Sequence, residues 1–147
     1  MAQVVTFLVA QPTSHEACQM IFALAPFLRD AIDESHGEMD LQDLFGLVFV
    51  DRAKVWLVFE KDSQKLRGVA VTEEVEYPKH TNLRVTFLGG TGIEEWKQEL
   101  DCEFCGFCEV AKLANIEVVG RRGFARVLEP LAYVQAYTVL IKEVCHG

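Results

Sequence analysis

Residues 84–96 read RVTFLGGTGIEEW: an alternating apolar run, 84–88, passes through Gly89, Gly90, Thr91 and Gly92 into a helical pattern that starts at Ile93. Glycines bring no Cβ between the backbone and a ligand. Exposed N–H groups in such a turn, backed by the positive end of the next helix, are suited to cradling an anion such as a phosphate. The same glycines also serve a turn for its geometry alone, so the junction takes its meaning from the elements on either side.

Upstream, the hydrophobic period switches between two and about 3.6. Residues 3–10 form a β-rich run, and residues 11–16 read as a turn into a helix with Thr13 or Ser14 as N-cap. Cys18, Ile21, Phe22, Leu24, Ala25 and Leu28 make one helical stripe that ends before the polar stretch 30–37. A second helix is expected from Asp40, with Leu41, Leu44, Phe45, Val48 and Phe49 on one side. Residues 55–59, 66–74 and 82–88 read as strands, separated by a turn at 63–65 and a break at Tyr77-Pro78-Lys79-His80. Connections this short make the three strands antiparallel neighbours.

Downstream, residues 93–113 carry the longest helical pattern, with Trp96, Leu100, Phe104, Phe107 and Ala111 at spacings of three and four. Residues 115–119 read as a β-branched strand, 123–131 as a short helix interrupted by Pro130, and 133–144 as a long final strand. The expected order is β-α-α-β-β-β-α-β-α-β. This is an α/β (α+β) chain with a mixed, mostly antiparallel sheet of about six strands flanked by helices.

At 147 residues, half hydrophobic and a quarter charged, the chain is expected to fold as a single globular domain over 1–147. Its net charge of −8, from 14 Lys and Arg against 22 Asp and Glu, opposes a general attraction to nucleic acid or an anionic membrane. No apolar run approaches the roughly 20 residues that cross a bilayer, and the first ten residues lack a basic leader, so an intracellular protein is expected. The five cysteines, an odd number, are expected as reduced thiols. Cys102, Cys105 and Cys108 stand three residues apart, but on a helix each such step advances about 300°, so the sulfurs drift around the axis. Packing rather than a metal site is the expectation, and His15, His36, His80 and His146 share no ligand spacing.

The element order, the glycine loop between the fourth strand and the third expected helix, and the closing segment 120–128, GRRGFARVL, resemble the GNAT-type N-acetyltransferase superfamily, in particular its divergent bacteriophage-encoded members. The resemblance spans nearly the whole chain and is carried more by the order of elements than by any one signature. It implies a sheet whose fourth and fifth strands splay, with the pantetheine arm of acetyl-CoA in the cleft. It implies pyrophosphate binding by the loop after the fourth strand, at Gly89, Gly90, Thr91 and Gly92, with Arg121 and Arg122 near a CoA phosphate. The family's leading Gln or Arg is absent from this loop, and the spacing is compressed.

Amine acetylation needs a base for the acceptor and an acid for the departing thiolate. In the family, carboxylates near the end of the third expected strand face the acceptor, which points here to Glu73 and Glu76, with Glu74 between them. The helix that carries the family's acid, a Tyr, has none here, and Tyr133 and Tyr137 are the phenols able to reach the site from the following stretch. Arg84 is a candidate ion-pair partner for the acids. The resemblance implies an acyl-CoA and an amine as partners. Its alternative is a catalytically degenerate GNAT-like protein that serves as a virion component or binds a phage or host protein, located in the virion instead of the cytoplasm. An oligomer formed through the last strand is an equal alternative to burial of that strand within one sheet.

Overall fold

A computed structural model of the chain describes residues 5–33, 39–119, 122–137, 140–142 and 144. Five strands form one sheet in sequential order: β1 (Phe7–Ala10), β2 (Ala53–Glu60), β3 (Leu66–Glu76), β4 (Thr81–Gly90) and β5 (Ile116–Val118). All neighbours are antiparallel except β4 and β5. The parallel pair follows from the long crossover between them, which contains helix α4 (Ile93–Ala111).

The first helical stripe folds as two helices, α1 (Ser14–Met20) and α2 (Ala25–Asp33), joined by a turn. Pro26 is the reason: it cannot donate within a helix interior, but it is tolerated in a first turn, so the helix restarts around it. Thr13 caps α1 through a capping box with Glu16, and Asp40 does the same with Asp43 at the head of α3 (Leu41–Phe49). Gly106 interrupts neither the length nor the apolar face of α4, which buries Trp96, Leu100, Phe104 and Cys108.

Alternation along the strands sends side chains to two cores. Val55, Val69, Val71 and Phe87 meet Ile21, Leu28, Leu44 and Val48 on the face covered by α1, α2 and α3. Trp56, Val58, Ala70 and Val85 meet Trp96, Leu100 and Phe104 on the face covered by α4. Within the second core Trp56 stacks edge-on against Phe104, with centroids 5.0 Å apart, and donates its indole N–H to Thr72 at 2.8 Å. Cys108 packs there as a small apolar side chain, whereas Cys105 and Cys102 lie on the exposed side of the helix.

Past β5 the chain forms a short helix α5 (Arg122–Leu128) and a 3-10 turn (Glu129–Leu131), ended by Ala132 in the left-handed conformation. The described residues of the expected sixth strand, 133–137, 140–142 and 144, are not in a strand. Tyr133 instead ties its start to α4 through Asp101.

Candidate functional site

The glycine junction is built differently from a free loop. Gly89 and Gly90 are the last residues of β4, paired with Val69 and Gly68 of β3. A Cβ on Gly89 would stand 1.7 Å from the Phe27 carbonyl oxygen of α2, and one on Gly90 would stand 2.2 Å from the Arg67 carbonyl oxygen. Close approach by the protein's own backbone thus requires both glycines. Only Thr91 and Gly92 remain between strand and helix, with Gly92 at φ +67° as the N-cap of α4.

The amide of Thr91 donates to the Arg67 carbonyl at 2.9 Å, and the Trp96 indole donates to the Thr91 carbonyl at 2.8 Å. The Arg67 guanidinium, from β3, lies against the same turn: Nε donates to Thr91 Oγ1 at 3.4 Å and Nη2 to Glu95 Oε2 at 3.1 Å, while Nη1 pairs with Glu60. Arg67 is the residue skipped in the β2–β3 register, where Val58 pairs with Gly68 and Phe59 with Leu66. A bulge re-aims the side chain it inserts. A cation therefore reaches the glycine turn from a position 24 residues upstream of Thr91, which no local motif discloses.

The first turn of α4 carries Glu94 and Glu95, which already answer the positive helix end. Both are paired, Glu94 with Lys97 at 2.6 Å and Glu95 with Arg67, so their charge beside the turn is partly offset.

β4 and β5 pair only from Leu83–Val85 to Ile116–Val118, with a last link from the Val119 amide to the Val85 carbonyl at 3.3 Å. β5 ends there while β4 runs on to Gly90, and a small apolar pocket lies on the α4 face beside that end. It is lined by Val85, Leu88, Trp96, Val118, Leu128 and Tyr133. The Tyr133 hydroxyl donates to Asp101 Oδ1 at 2.6 Å. Burial, with the Asp101 carboxylate beside it, pushes the phenol's pKa well up, so Tyr133 keeps its proton at neutral pH. Lys97, one turn before Asp101, donates to the Val127 carbonyl at 2.7 Å and holds the other end of the same cover.

The opposite face of the sheet there is polar. The strand register sets Ala53, Glu73, Arg84 and Glu117 in one row across β2, β3, β4 and β5. Glu73 accepts from Thr86 Oγ1 at 2.9 Å, and Thr86 is the residue skipped in the β3–β4 register, one step beyond the last β4–β5 pair. Arg84 does not pair with Glu73; its Nε donates to Glu117 Oε2 at 3.1 Å. Glu117 Oε1 also accepts from the Tyr77 hydroxyl at 2.5 Å and from Asn82 Nδ2 at 2.8 Å, and Asn82 in turn accepts from Asn115. Burial acts to raise the Glu117 pKa, but the hydrogen bonds from Tyr77, Asn82 and Arg84 outweigh it and hold the carboxyl below its usual range. Tyr77 is pushed up by the bond it donates to Glu117 and by burial.

Of the residues singled out in the sequence, Tyr133 lines the pocket on the α4 face, Glu73 lies on the other face of the sheet, and Thr91 and Gly92 precede Ile93, which also lines the pocket. Glu76, opposite Thr81 at the far end of β3, is exposed and three register steps from Glu73. Arg122 begins α5, with its side chain outside the described part, and Arg121, His36 and His146 lie outside the described residues. Among the described residues no group of three His, Cys, Asp or Glu is arranged to hold a metal, and no helix is long and apolar enough to cross a membrane. Sequence reading missed Glu117, Asp101, Lys97 and Arg67. Each acts through contacts set by register or helix packing, and the one available signal was the isolated acid in an otherwise apolar strand, Ile116-Glu117-Val118.

Solved structures share this architecture. A probable acetyltransferase superposes with a TM-score of 0.68 at 12% identity, covering 93% of this chain and 99% of its own. An aminoglycoside acetyltransferase from an uncultured soil metagenomic sample gives 0.68 at 14% identity over 97% of this chain and 99% of that one. A predicted acetyltransferase from Clostridium acetobutylicum, solved with acetyl-CoA, gives 0.66 at 11% identity over 94% and 96%. No family model and no curated protein matches the sequence. The fold is that of the GNAT-type acetyltransferases.

Proposed function

We propose that the protein transfers an acetyl group from acetyl-CoA to an amine. The observation that carries this reading is that β4 runs on past Val85, where β5 ends, with an apolar pocket on one face and a carboxylate-bearing row on the other. Such an arrangement lets a thioester enter from the α4 side and an amine meet it from the side of α1, α2 and α3. The acetyl-CoA complex of a similar structure supports the choice of donor.

In this scheme the apolar wall of Val85, Leu88, Val118 and Leu128 takes the pantetheine arm, and the amides at Gly92 and Ile93 face the pyrophosphate, with Arg121 and Arg122 as further phosphate partners. Glu73 accepts the proton of the attacking amine, directly or through water. The nitrogen bonds to the thioester carbonyl carbon, the C–S bond breaks, and the departing thiolate takes a proton from Tyr133, whose hydroxyl turns from Asp101 to deliver it and regains a proton from water. Glu76 serves at most to attract a cationic acceptor, because the sheet register sets it away from Val85, where β5 ends.

Thermal unfolding with and without acetyl-CoA tests the reading. A ligand at 100 times its Kd stabilises the folded state by about 2.7 kcal/mol. Absence of any shift at millimolar acetyl-CoA would overturn acetyl transfer and leave a non-catalytic binding protein as the better account.

A further inference from the structure

We infer that the acceptor is an amine bearing its own carboxylate, a zwitterion of the amino-acid type, with its nitrogen toward Glu73 and its carboxylate toward Arg84. This rests on the acetyl-transfer reading and adds the acceptor's chemical class.

Glu73 and Arg84 are directly opposed across β3 and β4. Opposite charges so placed, about 5 Å apart, ordinarily pair with one another. Here they turn apart: Glu73 accepts from Thr86 through Oε2, and Arg84 gives Nε to Glu117 and Nη2 to the Tyr77 hydroxyl at 3.4 Å. Those partners hold each charge in place while leaving part of it unused. Among the described residues, Oε1 of Glu73 and Nη1 of Arg84 have no hydrogen-bond partner. Arg84 remains a third exposed, although the Glu117 carboxylate that anchors it is only 15% exposed.

A guanidinium whose planar fork is fixed on one edge and open on the other fits a carboxylate. A carboxylate next to it fits an ammonium. Both lie on the face of the sheet opposite the thioester cleft, and Thr86, to which Glu73 is bonded, is the first β4 residue beyond the strand pairing. A polyamine or a lysine-rich peptide would set cationic groups against Arg84. A simple anion would meet Glu73, Glu117 and the net charge of −8. Only a molecule carrying both charges a short distance apart satisfies both groups.

The test uses the unaltered protein and acetyl-CoA, with release of the CoA thiol as readout. The acceptors are the common L-amino acids, their carboxamides and spermidine. At least one amino acid should be acetylated with a kcat/KM tenfold or more above that of its own carboxamide, since the amide removes only the carboxylate. Arg84→Gln should abolish that preference, the kcat/KM on the amino acid falling to within twofold of that on its carboxamide measured with the same variant, and Arg84→Lys should restore part of it. Equal use of acid and amide, better use of spermidine, or turnover of no amino acid despite an acetyl-CoA thermal shift would overturn the inference and leave the donor reading standing. No acetyl-CoA shift would overturn the donor reading itself.

Discussion

Gly89 lies beneath the carbonyl of Phe27, so closely that an added Cβ would stand 1.7 Å from the oxygen. The contact is between backbones, of β4 and of α2, and neither can move without shifting its element. Gly89→Ala is therefore expected to cost about 3 kcal/mol or more, at the upper end for overpacked sites. Gly106 on the exposed side of α4 meets nothing within 4 Å, so Gly106→Ala should stabilise by about 1 kcal/mol. Denaturant midpoints of the two variants check both signs in one experiment.

Glu94 lies in the first turn of α4, where a pyrophosphate would meet the helix end. Its carboxylate competes with a bound anion for the same positive field, although Lys97 offsets part of it. Glu94→Gln is expected to tighten acetyl-CoA about two- to fivefold, from the 0.3–1 kcal/mol typical of a charge at a helix end. Isothermal titration at low and moderate salt should show the gain shrinking as salt rises.

Glu117 is held ionised by three donors, below the range of an ordinary carboxyl. The unfolded chain therefore takes up this proton first as pH falls. Its contribution to stability is complete above the ordinary value of 4.5 and is lost as pH drops through the lower folded value. Glu117→Gln should destabilise the protein by about 2 kcal/mol at pH 7, the scale of hydrogen bonds to a charged group. The gap between variant and parent should narrow below pH 4 in chemical unfolding curves.

Tyr133 combines a structural and a chemical role. Tyr133→Phe removes the bond to Asp101 and is expected to cost about 2 kcal/mol, because the acceptor is charged. As the proposed proton donor, its loss should also lower kcat on the order of 10²-fold with little change in KM for acetyl-CoA. A variant that loses stability but keeps kcat would reduce Tyr133 to a wall of the cleft.

Most of the fold was legible along the chain. The alternation of β2, β3 and β4, their short turns, the apolar stripe of α4 and the capping pairs Thr13–Glu16 and Asp40–Asp43 are local patterns, and local patterns dictate local structure. The break at Pro26 was missed, because the apolar stripe runs across it, and one expected helix is two. The candidate site was less legible. Glu73 and Tyr133 were reached from family resemblance, while Arg84 was read as a partner for nearby acids and in fact binds Glu117, 33 residues later.

The sequence by itself determined most of the strands and helices, though not the last stretch, 133–144, because hydrophobic period, proline and capping residues act within a few positions. Only the tertiary structure decided what the charged and glycine residues do. The β2–β3 bulge sends Arg67 to the glycine turn, and the β4–β5 register places Glu117 beside Arg84. The packing of α2 on β4 makes Gly89 a contact between backbones. These depend on how distant segments are set against one another, and a one-residue change of register would send each side chain to the other face.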